Sequence, residues 1–189
     1  MNVKHAIVER RAYRSFQPVK ITEEIIYDLA ECAQLSASCF NNQPWRYIFV
    51  NNSEVLKEMH EAFSSGNKWA ENASMIIVVF SKKELDCIIR DREYYLFDIG
   101  MATGFIILRA TEIGLVAHPI AGYSPKKTRE ILSIPDDYNV IALVIVGKHS
   151  EKINTVLSEK QVESEKRRPK RISLDKFMYI NKYGERLKI

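Results

Sequence analysis

Across 189 residues the sequence holds only three cysteines, seven glycines and six prolines, and each shortage excludes something. Cys32, Cys39 and Cys87 have no CxxC spacing, and an odd, scattered count argues against a disulfide framework and against a zinc site. His5, His60, His118 and His149 form no HxxxH or HxH group. Neither GxGxxG nor GxxxxGK(S/T) occurs, so the dinucleotide and phosphate-loop fingerprints are absent. GxSxG and HExxH are missing too, and no pair of carboxylates stands out. The longest apolar runs, "MIIVVF" and "VIALVIVG", are far shorter than a membrane span. The opening "MNVKHAIVERR" is charged within a few residues, unlike a signal peptide. The expectation is a soluble, reduced, cytoplasmic protein that binds no metal and no membrane.

What is present is ordinary globular material. Hydrophobic residues make up 46% and charged residues 28%, enough for one sizeable core. The formal charge of +4 and a pI near 8.9 are mildly basic. That falls below a dedicated nucleic-acid binder and suits one anionic ligand.

Helix and strand signals alternate along the chain without an internal repeat. Asn2 is placed to cap a helix over 2–11, and Pro18 ends that stretch. Thr22 caps a second helix, with Glu23 and Glu24 in its first turn and Ile25, Ile26, Leu29, Ala30 and Ala33 at helical spacing. A strand is expected over Arg46–Asn51, a helix from Glu54 to about Phe63, and a strand buried on both faces at "SMIIVVFS". Residues Asp91 to Ile113 read as the longest helix, apolar almost all round, with Gly100 and Gly104 on one face leaving room for a close neighbour. The stretch "AHPIAGYSP" (117–125) reads as a loop bracketed by Pro and Gly, followed by a helix capped by Ser124 with Pro125 at its first position. "YNVIALVIVG" is a second buried strand. Residues 150–169 read as a solvated linker or helix, and the apolar return in "RISLDKFMYINKYG" predicts a tail that docks, on another subunit for example. The whole is expected to be a single domain over 1–189 with 150–189 as an extension, in an α+β or three-layer α/β architecture.

Three places attract chemical interest. "ERRAYR" gathers Arg10, Arg11 and Arg14, and "KRRPKR" gathers Lys166, Arg167, Arg168, Lys170 and Arg171. Guanidinium forks match phosphate geometry, although each run also reads as a solvated charged face. The third place is 117–125, where Gly122 permits a ligand to approach the backbone. The polar cluster in "SASCFNNQPWRYIFV" (36–50) is unexplained by the strand that follows it.

Four blocks, in order and covering almost the whole chain, resemble the FMN-dependent nitroreductase family. "ERRAYRSF" is similar to its Arg-Arg-Ser-x-Arg-x-Phe opening, and "SASCFNNQPWRYIFV" to its Pro-Ser-x-x-Asn-x-Gln-Pro-Trp motif. "GLVAHPIAGYSPKKTREILSIPDDYNVIALVIVGK" resembles its Gly-Leu, Pro-x-x-Gly block, and "KRISL" its closing Arg-x-x-Leu. The resemblance implies a three-layer α-β-α fold with a central mixed sheet, a central buried helix and a C-terminal extension exchanged in a homodimer. It implies FMN bound at the subunit interface. Arg10, Arg11, Arg14 and Arg171, helped by Lys170, would hold its phosphate, ribityl chain and ring O2. Ser38, Cys39 and Asn41 would reach it from the other subunit, and Pro119, Ile120, Ala121 and Gly122 would line it near N5 and O4. Lys68 lies near a further polar position, to within a residue. Ala12 stands where the family has Ser, which removes a contact worth about 0.5–1.5 kcal/mol. Ala37 stands where it has Pro.

The implied activity is NAD(P)H oxidation with reduction of nitroaromatics, quinones or a similar small acceptor, using NADH or NADPH as donor. The flavin does the chemistry, so no catalytic acid, base or nucleophile is named. Reductive dehalogenation or flavin destruction remain open within the same fold, as does a flavin-binding carrier or sensor without turnover. A nucleic-acid module built on "KRRPKR" is disfavoured because no aromatics interleave with the basic run. Trp45, Trp69 and His118 are expected to pack rather than bind, and Cys39 to act through its backbone; Tyr94 and Tyr95 lie on the stretch where the family varies its acceptor pocket, with a substrate role the less favoured reading.

Overall fold

The computed structural model describes residues 2–186; Met1 and residues 187–189, the ends of the expected domain, lie outside the described residues. Helices cover both faces of one antiparallel sheet. In chain order the elements are α1 (Val3–Glu9), β1 (Phe16–Gln17), α2 (Glu23–Gln34), β2 (Arg46–Val50), α3 (Ser53–Met59), β3 (Met75–Ser81), β4 (Ile88–Ile89), β5 (Arg92–Glu93), α4 (Tyr95–Glu112), β6 (Val116–Ile120), α5 (Pro125–Leu132), β7 (Asn139–His149) and α6 (Glu159–Lys166).

Caps written in the sequence start the helices. The Asn2 side chain accepts from the His5 amide, Thr22 from Ile25, Asn52 from Glu54 and Val55, and Ser124 from Lys127. Ser158 and Gln161 form a capping box at α6. α5 ends on Ser133, which adopts the left-handed conformation at φ 53°.

The sheet is organised around β7. It pairs with β3 along one edge and β6 along the other, β3 continues to β2, and β1 pairs with the end of β7. Period-two alternation then sorts the side chains into two cores. Ile76 and Val78 of β3 join Leu143 and Ile145 of β7, with Met59 and Trp69, on one face. Met75, Ile77, Val79, Val144 and Val146 face the opposite core, with Leu29 and Ala33 of α2 and Ile99, Ala102 and Ile106 of α4. A strand buried on both faces needs an unbroken apolar run, which is why "SMIIVVFS" carries no alternation. Truncating Ile76 or Ile77 to alanine removes a fully buried side chain, at a cost of about 2–5 kcal/mol.

Four expectations need correction. Every strand pairing among the described residues is antiparallel, where a mixed sheet was implied. Residues 116–120 are not loop but the strand β6, because an edge strand tolerates Pro119, whose missing N–H leaves β7 otherwise paired. The long helix starts at Tyr95 rather than Asp91, since β4 and β5 turn residues 88–93 into a small hairpin. Cys39 and Cys87 are joined by a disulfide, leaving Cys32 as the free thiol. Their 48-residue separation hid a pair whose Cα atoms lie 6.1 Å apart where two loops meet at the start of α4. No helix among the described residues is long and apolar enough to cross a membrane.

The exposed apolar residues are not scattered. Phe97 (63% exposed) and Phe105 (44%) stand on one face of α4 with Gly100 and Gly104. A Cβ on either glycine would meet no atom within 4 Å. In the tail, Ile172, Leu174, Phe177 and Tyr183 are exposed as well.

Candidate functional site

The first cluster is built where the chain leaves α1. Arg10 turns out of the helix at ψ 119°, and residues 10–15 run on to β1 without helix or strand. α6 clamps this stretch. Arg11 Nη2 donates to the Ser164 carbonyl at 2.8 Å and the Glu165 carbonyl at 3.1 Å, and its guanidinium lies 4.6 Å above the Tyr13 ring. The buried Glu165 carboxylate accepts from the amides of Arg14 at 2.7 Å and Ser15 at 3.1 Å. Arg168 donates to the carbonyls of Val8 and Arg10. A pocket of about 140 Å³ results, lined by Arg10, Arg11, Ala12, Arg14, Arg168 and Arg171, with Ser164 and Pro169 completing it.

No carboxylate lines this pocket, and among the described residues none of its arginines has an acidic partner within 4 Å. Burial, and then repulsion from Arg168, Arg171 and Arg11, pull the Arg10 pKa below the usual guanidinium value. Arg14 is lowered by burial, against a partial offset from Glu165. Like charges held together without a counter-charge are unfavourable, so the cluster is arranged for an anion.

The second region is joined to the first by a stack. Arg14 sits 5.7 Å from the ring of Trp69, and Trp69 stacks on His118 at 4.7 Å. His118 Nδ1 lies 3.0 Å from the Tyr13 carbonyl; a carbonyl only accepts, so Nδ1 carries the proton. Burial drives the His118 pKa down to about 4, leaving the ring neutral near pH 7. Trp69 and His118 are thus packed, as expected. Beyond them, the Gly122 carbonyl accepts from Ser64 N at 3.0 Å and Asn67 Nδ2 at 2.9 Å. Asn67 Oδ1 also accepts from Trp69 Nε1. A Cβ at Gly122 would come within 2.5 Å of Asn67 Nδ2 and 2.6 Å of Ser64 Oγ, so a side chain there would have to displace the Asn67 amide that holds the Gly122 carbonyl. Pro119 and Ala121 are exposed, while Ile120 points into the core and offers only its backbone.

The third region is the loop after α2. Phe40, Asn41 and Gln43 all hold positive φ, at 47°, 59° and 51°. Such conformations persist only where surroundings enforce them. Here Gln43 N donates to Ser38 Oγ at 3.0 Å, and Cys39 N donates to Asp98 Oδ2 at 2.7 Å. Asn42 Nδ2 donates to Asp86 Oδ1 at 3.2 Å. Cys39 is thus held twice, by Asp98 through its amide and by Cys87 through its sulfur. Burial, and in lesser part Asp86, push the Asp98 carboxyl above its usual range, against the Cys39 amide. The loop's outer surface stays open: Phe40 is 86% exposed, and Asn41 is exposed beside it.

Arg10, Arg11, Ala12, Arg14 and Arg171 thus come together, and Pro119 to Gly122 are tied in through Trp69. Lys170 faces the adjoining surface with Lys160 and Arg167 instead. Ser38, Cys39 and Asn41 make no hydrogen bond or ion pair with either set among the described residues. Sequence reasoning gave no role to Glu165 or Asn67 and named Arg168 only as a member of the "KRRPKR" run. Lys68 is exposed, and its neighbour Asn67 is the residue that grips Gly122.

Comparison with known proteins places these features. A profile described as Nitroreductase family matches residues 7–72 and 64–148. The chain is 34% identical over 145 residues to a putative NADH dehydrogenase/NAD(P)H nitroreductase of Archaeoglobus fulgidus, covering 75% of this chain and 82% of that protein. It is 28% identical over 182 residues to an oxygen-insensitive NADPH nitroreductase of Helicobacter acinonychis, covering 77% and 86%. A crystal structure described as an oxidoreductase containing FMN superposes with a TM-score of 0.82 at 26% identity, covering 98% of this chain and 95% of that one.

Proposed function

The chain belongs to the nitroreductase family and is an oxidoreductase of that type; on that premise we propose that it uses FMN to reduce nitroaromatics, quinones or a similar small acceptor at the expense of NADH or NADPH. The observation that carries this reading is the acid-free arginine pocket. At about 140 Å³ it suits a phosphate group, not a flavin ring. A bound phosphate would answer the crowding that lowers Arg10, with each charge-assisted bond contributing roughly 1.5–3 kcal/mol.

The chemistry FMN supplies when bound is hydride acceptance at N5 and delivery of that hydride to the acceptor, donor and acceptor using one pocket in turn. The chain's own residues position and polarise. Arg10, Arg14 and Arg171 hold the anionic end, and Arg168 holds Arg10 by its carbonyl. Arg11 keeps α6 in place and leaves the ligand to the others. Ala12 adds no hydroxyl. Gly122, fixed by Asn67 and Ser64, presents 119–122 as a rigid wall. Neutral His118 braces that wall without adding charge.

Ser38, Cys39 and Asn41 complete the site from a second subunit of a homodimer. The glycine-bearing face of α4 and the exposed apolar tail of 172–183 supply the surface for it. Residues 150–189 then act as an extension of a single domain: α6 and the segment to Arg171 pack on their own chain, and the apolar tail from Ile172 onward reaches the partner. The test is the absorption spectrum of purified protein mixed with FMN, followed by bleaching with NADH and NADPH and steady-state oxidation with a quinone. Flavin absorbance that bleaches and turns over is expected. A protein that takes up no flavin overturns the reading, and one that binds flavin without turnover makes it a carrier or sensor.

A further inference from the structure

We propose that Cys39 and Cys87 are a reversible thiol–disulfide pair that sets the shape of the 38–43 loop and, resting on the reading above that this loop meets FMN, sets how tightly the cofactor is held. The bond lies outside both cores, whose buried residues do not include either cysteine. It joins two loops, and both cysteines are only half-buried, so small thiols can reach them. A lone disulfide placed this way is not a framework for folding. What it does hold is the strained segment: three residues at positive φ, fixed by the Cys39–Asp98 and Asn42–Asp86 hydrogen bonds and by this bond.

Removing the bond leaves the Ser38–Gln43, Cys39–Asp98 and Asn42–Asp86 hydrogen bonds alone to enforce the strain. It also leaves both sulfurs beside a carboxylate, since Cys39 Sγ, Cys87 Sγ and an Asp86 oxygen lie within 4.8 Å of one another. Nothing covalent then ties the Cys39 loop to the Cys87 loop, and Asn42 Nδ2, 3.3 Å from Cys87 Sγ, is left as a weak bridge between them. Reduction therefore loosens the loop.

Formation of the bond uses a small disulfide as oxidant. One cysteine thiolate attacks a sulfur of it and expels a thiolate; the other cysteine thiolate attacks the mixed disulfide and expels the second. One S–S bond forms in the chain and one breaks in the small molecule. Two electrons pass to the latter, and the two cysteine protons end on the two thiols released.

The experiment equilibrates the full chain in buffers of graded reduced and oxidised glutathione. Alkylation with mass spectrometry counts thiols, hydrogen exchange follows residues 38–43, and flavin fluorescence gives FMN affinity. We expect Cys39 and Cys87 to convert together and reversibly while Cys32 stays alkylatable. In the reduced form the loop amides should exchange about tenfold faster and the FMN Kd should rise roughly threefold or more. Cys87→Ser should match the reduced form in every buffer. Free Cys39 and Cys87 thiols at all ratios, or a loop whose exchange ignores the bond, overturns the proposal. FMN held equally by both forms overturns the coupling to the cofactor. A responsive loop in a protein that binds no FMN in either form sustains the loop lock and removes the flavin reading instead.

Discussion

The arginine pocket and the 38–43 loop are both polar regions assigned to one cofactor, yet they are built in opposite ways. The pocket concentrates charge on relaxed backbone. Among the described residues its arginines have no acidic partner within 4 Å, and its walls are clamped by Glu165 and Arg168 of the same chain. The loop stores its difficulty in the backbone. Three positive φ values are enforced from behind by Asp98, Asp86 and Cys87, and the loop turns an open surface outward. On the proposed reading, the pocket seats the anion in one chain and the outward-facing loop serves the site of the partner.

The largest effect that sharpens this comparison lies at the joint between pocket and wall. His118 is buried neutral with its pKa lowered to about 4, whereas the unfolded ring titrates near 6.5. In that window the unfolded chain binds the extra proton. Stability is therefore full above about pH 6.5 and is lost as pH falls toward 4, by about 3 kcal/mol in the limit. Urea denaturation at graded pH measures this slope, and His118→Asn should flatten it.

Next comes the pocket itself. Arg10→Ala should raise the FMN Kd about 10- to 150-fold, the loss of a charge-assisted contact, and leave urea stability nearly unchanged. Flavin fluorescence titration beside denaturation checks both parts. In the loop, Asn41→Ala should weaken FMN by roughly 2- to 12-fold while fold and dimer stay intact. If it unfolds the chain and spares flavin binding, the loop is structural. Smallest is Gly104→Ala, which fills no occupied space in one chain. In an isolated subunit it should add about 0.5–1 kcal/mol of helix stability. Sedimentation of the same variant should show a weakened dimer if a partner presses on that face.

The difference between the regions also explains what was legible beforehand. Helices announced themselves through caps such as Thr22 and Ser124, and the buried strands through runs whose length exceeded any alternation. β6 was hidden because Pro119 and Gly122 are loop punctuation, and an edge strand hides what punctuation means. The arginines of 10–14 were visible as a cluster, but their division of labour was not. Arg11 turned to carbonyls of α6, more than 150 positions along the chain, and that is a fact of tertiary packing. In "KRRPKR" only the fold separates Arg168 and Arg171, which line the pocket, from Lys170, which does not. The Cys39–Cys87 pair was invisible because connectivity is not written in spacing.

The central claim, that each site takes its arginines from one chain and its loop from the other, is tested by mixing two defective variants. One carries Arg10→Ala with Arg14→Ala, the other Asn41→Ala, and the pair is unfolded and refolded together before FMN titration. The account predicts that one of the two sites in each mixed dimer regains wild-type affinity, because it joins intact arginines to an intact loop. If every site in the mixture binds as weakly as the parent variants, both regions serve the same chain and the account is wrong.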